Sequence, residues 1–457
     1  LLYRTERQVR KMFLGNPDRK GGAGAFIGYD ISDRYAQISF WLPGADKPET
    51  LSQVMGEEEY MIPAVLCRRR DRDVWTYGRE ALKNAEAGEG VLVNNMLSRA
   101  LAGESVEVEG ECFDAAVLLS LFVKRSLSLL SGALVPEKAA MFLFTVDEVN
   151  KQTIEVLSRV AALISLPPDH VSCQSRGESF FYYNINQPEE LWRHQVMICD
   201  FSGTTMKLLM FEMNHHTRPV TVIVREDTYP EIARRLPPEE EPGEAEKQRM
   251  DERFAAVLER VCSGKIIDTI YLIGDGFEGD WYTRSLPVLC RGRRVFQGNN
   301  LYSKGACYGA RAKQQPGENG QNYVYLGKDM LKANIGLEAS FRGQDSYFAL
   351  LDAGVNWYDA RRECDFLLNE DHSFSLRITP LTGREVKEVA VTLDGVPERP
   401  ARTTRIHLTV FLSDADTVQL KMEDMGFGEM FPASHKIWEE AFSLKEENDQ
   451  KKEGDRV

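Results

Sequence analysis

The chain has 457 residues, 43% of them hydrophobic and 28% charged, with 70 acidic against 56 basic side chains and a net charge of -14. That composition supports a sizeable buried core and about three domains of ordinary size. The acidic balance repels nucleic acid and anionic membranes, so neither is expected as a partner. The longest apolar segment, "FDAAVLLSLFVKRSLSLLSGALV", is broken by Lys124 and Arg125 and reads as a buried amphipathic helix, not a membrane span.

Residues 1–24 read as an extension, amphipathic and then glycine-rich, with neither the apolar core nor the cleavage site of a signal peptide. From residue 25 the pattern is strand, turn, strand: "AFIGYD", "ISDR", "YAQISFWL". The segment "EEYMIPAVLCRRRDRDVWTYGREAL" reads as a hairpin whose basic turn is solvated. A helix near 113–131 and the strand "AAMFLFTV" follow. The next helix, over 147–164, carries Val149, Ile154, Leu157, Val160, Ala161 and Ile164 at helical spacing. A short strand, "HVSCQS", leads into a helix from about 176. This alternation predicts an α/β fold with a parallel sheet.

At 195 the opening layout returns: "QVMICD", "FSGT", "TMKLLMFEM". A Pro/Glu-rich stretch at 236–250 reads as a linker or exposed loop. The helix "DERFAAVLERVCSG", the strand "DTIYLIGDGFEG" and a helix over "DWYTRSLPVLC" come next. Beyond about 320 apolar and polar residues alternate between turn signals, which predicts an antiparallel β domain. "ASHKIWEEAFSLKEENDQKKEGDRV" reads as a short helix and a charged, disordered tail. Eight cysteines without a CxxC predict free thiols in a reducing compartment, hence a cytoplasmic protein. His215 and His216 have no carboxylate or cysteine at ligand spacing and read as a solvated turn.

Asp30 and Asp200 each end a strand before a short turn, and the glycine motif "IYLIGDGFEG" is followed by "GNNLYSKGACYGA". This set resembles the actin-like ATPase superfamily. Further segments in order, "YMIPAVLC", "NNMLSRALAG", "VDEVNKQTIEVLSRVAAL", "ANIGLEA" and "RIHLTVFLSDADTVQLKMED", make the chain most similar to its seventy-kilodalton heat-shock chaperone branch, in a divergent and lidless form. The resemblance implies a two-lobed, ribonuclease H-like nucleotide-binding domain, with lobe I at 25–194 and lobe II at 195–320. An antiparallel β-sandwich, similar to the chaperones' substrate-binding domain, would span 321–432, and a short helix and charged tail 433–457.

The resemblance further implies ATP or ADP and magnesium as cofactors. Asp30 and Asp200 would be the catalytic carboxylates, holding magnesium mostly through its waters. Arg99 would stand near the family's catalytic lysine, keeping its charge but not its shape. Gly28, Ser32, Asp33 and Arg34 would form the first phosphate loop, and Ser202, Gly203, Thr204 and Thr205 the second. Gly274, Asp275 and Gly276, with Gly279, would approach the adenosine. The departures are Ser32-Asp33-Arg34 for Gly-Thr-Thr, Ser202 for a glycine, Lys207 for an acid, and Ser175 for the catalytic glutamate. Losing one placed catalytic group commonly costs about 10²–10⁴ in rate, so hydrolysis is expected to be weak or absent. An Asp at one strand end alone could equally cap its own turn. The expected function is a chaperone-like protein in which nucleotide serves as a conformational switch and the β domain binds a peptide or protein. The alternative is an active actin-fold ATPase or small-molecule kinase. That alternative, like a filament-forming relative, leaves the β domain without a role.

Overall fold

The computed structural model describes residues 24–445, apart from 55–56, 71–73, 235–242, 316–321, 342–343, 370–371 and 382–384. Most of the expected extension, the tip of the basic turn, part of the Pro/Glu stretch and the charged tail lie outside the described residues. The protein is mixed α/β with several sheets and divides into two compact units at Gly327/Lys328.

The first unit opens with β1 (Phe26–Ile31) and β2 (Tyr35–Trp41), in which every residue is buried. Burial on both faces explains why both read as near-continuous apolar runs. After β3 (Glu49–Thr50), a small three-stranded sheet and a two-stranded one intervene. Helix α1 (Ala115–Leu127) then leads to β4 (Met141–Val146), α2 (Lys151–Leu163), β5 (Val171–Ser175) and α3 (Arg176–Ile185). The strand order is β5-β4-β1-β2-β3. β1 pairs β4 and β4 pairs β5 in parallel, whereas β1, β2 and β3 form an antiparallel meander.

The second half repeats this plan. β6 (Gln195–Asp200), β7 (Thr205–Asn214) and β8 (Val220–Ala233) form the meander, and α4 (Glu244–Cys262) crosses to β9 (Ile267–Ile273). β10 (Arg294–Gly298) and α5 (Leu301–Gln314) follow. The order is β10-β9-β6-β7-β8, again with β6, β9 and β10 parallel and the meander antiparallel. β11 (Tyr323–Leu326) adds to the outer edge, parallel to β8. Its ladder bonds therefore belong to the first unit, and the boundary falls at 327/328 instead of the 320/321 read from the sequence. The helix expected over "DWYTRSLPVLC" shrinks to Leu286–Leu289, because turns occupy the residues before it.

Helix α5 follows the second sheet yet packs on the first. Ala306 and Ala310 share a core with Phe26, Trp41, Met141 and Leu143. A side chain on Gly28 would lie 2.1 Å from the Ser303 carbonyl, and one on Gly305 1.9 Å from the Ser179 carbonyl of α3. These glycines let β1, α3 and α5 approach backbone to backbone. Gly28, assigned to the first phosphate loop by resemblance, is used in this packing.

The second unit has two four-stranded antiparallel sheets. One has β13 (Gln344–Leu351), β12 (Ala333–Phe341), β15 (Ser373–Pro380) and β16 (Lys387–Thr392) in that order. The other has β14 (Arg361–Leu367), β17 (Arg405–Asp414), β18 (Thr417–Asp424) and β19 (Ile437–Ser443). Ile335, Leu337, Leu376 and Val391 from the first share one core with Leu408, Val410, Val418, Leu420 and Met422 from the second. β19 replaces the short helix expected after 433. Most of its residues are exposed, though Trp438 and Phe442 on one face pack against the core, and pairing with β18 fixes it as a strand. Among the described residues no helix is long and apolar enough to cross a membrane. All eight cysteines are free.

Gly305→Ala tests the backbone contact. Alanine raises helix propensity by about 1 kcal/mol, but its methyl would press on the Ser179 carbonyl, and overpacking costs about 1–3 kcal/mol. The expected result is a lower urea midpoint; a higher midpoint would show that α3 and α5 are not locked this way.

Candidate functional site

The two strand-end carboxylates lie where the sequence puts them, but neither is free. Asp30 is fully buried at the end of β1. Arg176, the first residue of α3 and only 8% exposed along its side chain, donates to it through Nε (2.9 Å to Oδ1) and Nη2 (3.4 Å to Oδ2). The Arg176 guanidinium lies over the rings of Tyr35, at 5.7 Å, and Tyr302, at 5.3 Å. Tyr302, in the first turn of α5, donates its hydroxyl to Asp200 Oδ2 at 2.8 Å. Asp200 Oδ1 accepts from the Ser202 amide at 2.9 Å, closing an Asx turn.

Burial opposes the charge on Arg176, but Asp30, Tyr35, Asp200 and Asp147 outweigh it and hold its pKa well above the ordinary value. Burial pushes the Asp30 carboxyl up, against the pull of Arg176. Arginine cannot give up its proton in a protein, and a guanidinium without a counter-ion at this depth would cost several kcal/mol. Burial also pushes the Tyr35 phenol up to about 12 and that of Tyr302 well above its usual range, so Tyr302 is a neutral donor to Asp200.

Ser175 explains why α3 starts where it does. Its Oγ accepts from the Glu178 amide at 3.3 Å, and S-R-G-E is a capping-box sequence. The residue read as a missing glutamate is a helix cap, and its neighbour Arg176 is the charged group of the site. Sequence reasoning missed Arg176, although it directly follows Ser175, and missed Tyr302, although it lies within the quoted "GNNLYSKGACYGA".

The two loops and the glycine motif are joined directly. Arg34 grips Asp275 in a forked pair (2.8 and 2.6 Å) and also donates to the Ser202 carbonyl at 2.8 Å. Arg234 donates to Asp275 as well, and to the Phe201 carbonyl at 2.8 Å. Asp275 is thus the centre of a clasp and does not face an open adenosine site. A side chain on Gly274 would strike Ser202 and the Phe201 backbone, and one on Gly276 the Phe201 ring and carbonyl. Both glycines serve the close approach of the β9 turn to the β6 turn. Gly279, by contrast, is open and has φ +80°.

Asp33 accepts from the amide of Ser98 at 2.9 Å and from its hydroxyl. It therefore satisfies the first turn of helix Met96–Leu101, whose own N-cap, Asn95, makes no side-chain bond. Its charge is absorbed there. Ser32 is used inside its turn, accepting from the amides of Arg34 and Tyr35.

A cleft of ≈ 420 Å³ remains, and Ser32, Asp33, Arg34, Asp200, Ser202, Gly203, Thr204 and Thr205 line it, along with Arg176 and Lys207. Lys207 pairs with Asp147 across it. Asp30, Asp275, Gly28, Gly274, Gly276 and Arg99 do not line it. His215 is exposed and its ring contacts the Arg193 carbonyl. Among the described residues no group of three or more His, Cys, Asp or Glu side chains could hold a metal. Both oxygens of Asp30 and both of Asp200 are already bonded to protein donors, and that arrangement does not fit magnesium at the pair.

The chain belongs to a family of unknown function, DUF5716, whose C-terminal region matches residues 47–328. Residues 330–444 match a second domain of unknown function, DUF8552, so the change of family falls where the two compact units divide. No curated protein matches the chain.

Asp275 gives the site a pH signature. Burial raises its pKa, but hydrogen bonds and charge from Arg34 and Arg234 outweigh that and hold it below the usual carboxylate range. A depressed carboxylate stabilises the fold above its unfolded pKa, about 3.9, and loses that contribution as pH falls through the folded value. Arg34 is more than a third exposed, so after discounting for screening Asp275→Asn is expected to cost about 1 kcal/mol at neutral pH, a cost that fades as pH falls through the folded pKa. Urea unfolding across pH 2–7 checks this; an equal loss at every pH would mean that the clasp is not ionic.

Proposed function

We propose that this protein is a non-hydrolysing relative of the actin-like ATPases, nearest in plan to the seventy-kilodalton chaperones, whose second unit binds an extended segment of a protein partner. One observation carries the reading. Two sheets of the same order and pairing each end their first strand in a buried aspartate, and both carboxylates are already held by protein donors. The repeated sheet supports the ancestry; the occupied carboxylates argue against phosphate hydrolysis. Metal-assisted hydrolysis needs carboxylates free to orient the ion and its waters.

The β unit supports a role in binding. β13 is an outermost strand of its sheet, and Tyr347 (47%) and Phe348 (43%) on it are exposed. Such an edge suits strand addition by an extended peptide, with main-chain bonds giving affinity and the aromatics contact area. A second reading rests on the ≈ 420 Å³ cleft. Gly203 is open there, and Thr204 and Thr205 flank it beside Lys207. This arrangement suits a small anion bound without metal.

One titration tests the main reading. A fluorescently labelled, permanently unfolded polypeptide is titrated with the full chain, with and without ATP and magnesium, while phosphate release is followed. The expected result is saturable binding with the same Kd in both conditions and no release above buffer. Turnover abolished by Asp200→Ala would replace the proposal with an active ATPase, and the absence of polypeptide binding would remove the chaperone-like part.

A further inference from the structure

The misfit between the Asp30–Asp200 site and magnesium has a specific cause. Two carboxylates buried at paired strand ends, as Asp30 and Asp200 are, call for a positive charge nearby, because burying either unpaired is costly. Where a site is open, a divalent cation with its waters supplies that charge. Here Arg176 supplies it from within the chain. Its guanidinium is in a two-point pair with Asp30, lies over the rings of Tyr35 and Tyr302, and reaches Asp200 through the Tyr302 hydroxyl. The two aromatic rings favour its charge.

We propose that Arg176 is a tethered counter-ion that takes the place of a divalent cation at the paired strand ends, so that the first unit keeps one closed arrangement whatever the magnesium concentration. The inference rests on the paired-carboxylate site of the proposed function but not on a peptide partner. Three features support it beyond the single ion pair. Arg176 is placed by the Ser175 cap at the start of α3, and α3 is locked to α5 by the Gly305–Ser179 contact, so the guanidinium cannot drift. Asp200 has no direct cation of its own; a phenol and a backbone amide satisfy its oxygens. The charged groups on neighbouring elements are paired elsewhere, Lys207 with Asp147 and Arg34 and Arg234 with Asp275, and among the described residues Arg176 is the cation that bonds a carboxylate of the pair.

The test is thermal unfolding of the full chain in millimolar magnesium or manganese chloride against sodium chloride of matched ionic strength. Wild type is expected to show no metal-specific shift. Arg176→Ala is expected to melt roughly 5–10 °C lower. Divalent cation, but not sodium, then restores a large part of the loss, and adding Asp30→Asn abolishes the restoration. A metal-specific rise in wild type that Asp30→Asn removes would overturn the proposal, as would an Arg176→Ala protein that divalent cations do not stabilise. If Arg176→Ala yields no folded protein, Arg176→Met is compared with Asp30→Asn/Arg176→Met. The double variant must melt higher, because it removes the stranded carboxylate charge; the reverse order overturns the proposal. Loss of polypeptide binding without these metal effects would count against the proposed function and leave this inference standing.

Discussion

A fully buried ion pair constrains the first unit from the inside. Asp30 sits at the end of a strand with no exposed residue, where an unpaired charge would be costly and a cation brought to it offsets that cost. Arg176 does so, and its position then fixes much else. The start of α3 must meet the end of β1, α3 must meet α5, and α5 must present Tyr302 to Asp200. The glycines at 28 and 305 are the geometric condition for that chain of contacts, since any side chain there would collide with backbone. Buried pairs of this kind contribute little net stability but make loss of one partner severe, which suits a device that selects one arrangement over others.

The second unit uses the same chemistry at another strand end. Asp424 closes β18 at an inward position, fully buried, and Arg399 grips it with two bonds of 2.8 Å. The amides of Gly426 and Ser434 and the Ser434 hydroxyl complete its shell. These bonds outweigh burial and hold the Asp424 carboxyl far below its usual range. In both units, then, a strand-end aspartate is an anchor satisfied by an arginine distant in sequence. This weakens any argument from a strand-end Asp to a metal.

The repeated layout was legible in the sequence because strand, terminal Asp, turn and strand are local, and the burial of β1 and β6 leaves short, mainly apolar runs before each Asp. The partners of Asp30 and Asp200 were not, because Arg176 and Tyr302 are brought to them by helix packing across more than a hundred residues of chain. Glycine motifs are ambiguous for a related reason: Gly274 and Gly276 permit close approach, but only the fold says that Phe201 and Ser202, and not a ligand, come close. Asp33 read as part of a phosphate loop, and its partner, the amide of Ser98, belongs to a helix whose own cap residue is left-handed. β19 was misread because a mostly exposed edge strand containing Glu439, Glu440 and Ala441 has the composition of a helix, and its inward residues, Trp438 and Phe442, are four apart, a spacing that suits a helix face as well as a strand face.

The central claim is that the Asp30–Arg176 pair occupies the position a metal would need. A high-resolution crystal structure of the full chain grown with magnesium and a non-hydrolysable ATP analogue tests it most directly. The account predicts Arg176 still paired with Asp30, Tyr302 still bonded to Asp200, and no metal within coordinating or water-bridged reach of either carboxylate. Magnesium bound between Asp30 and Asp200, with Arg176 displaced from Asp30, would contradict it.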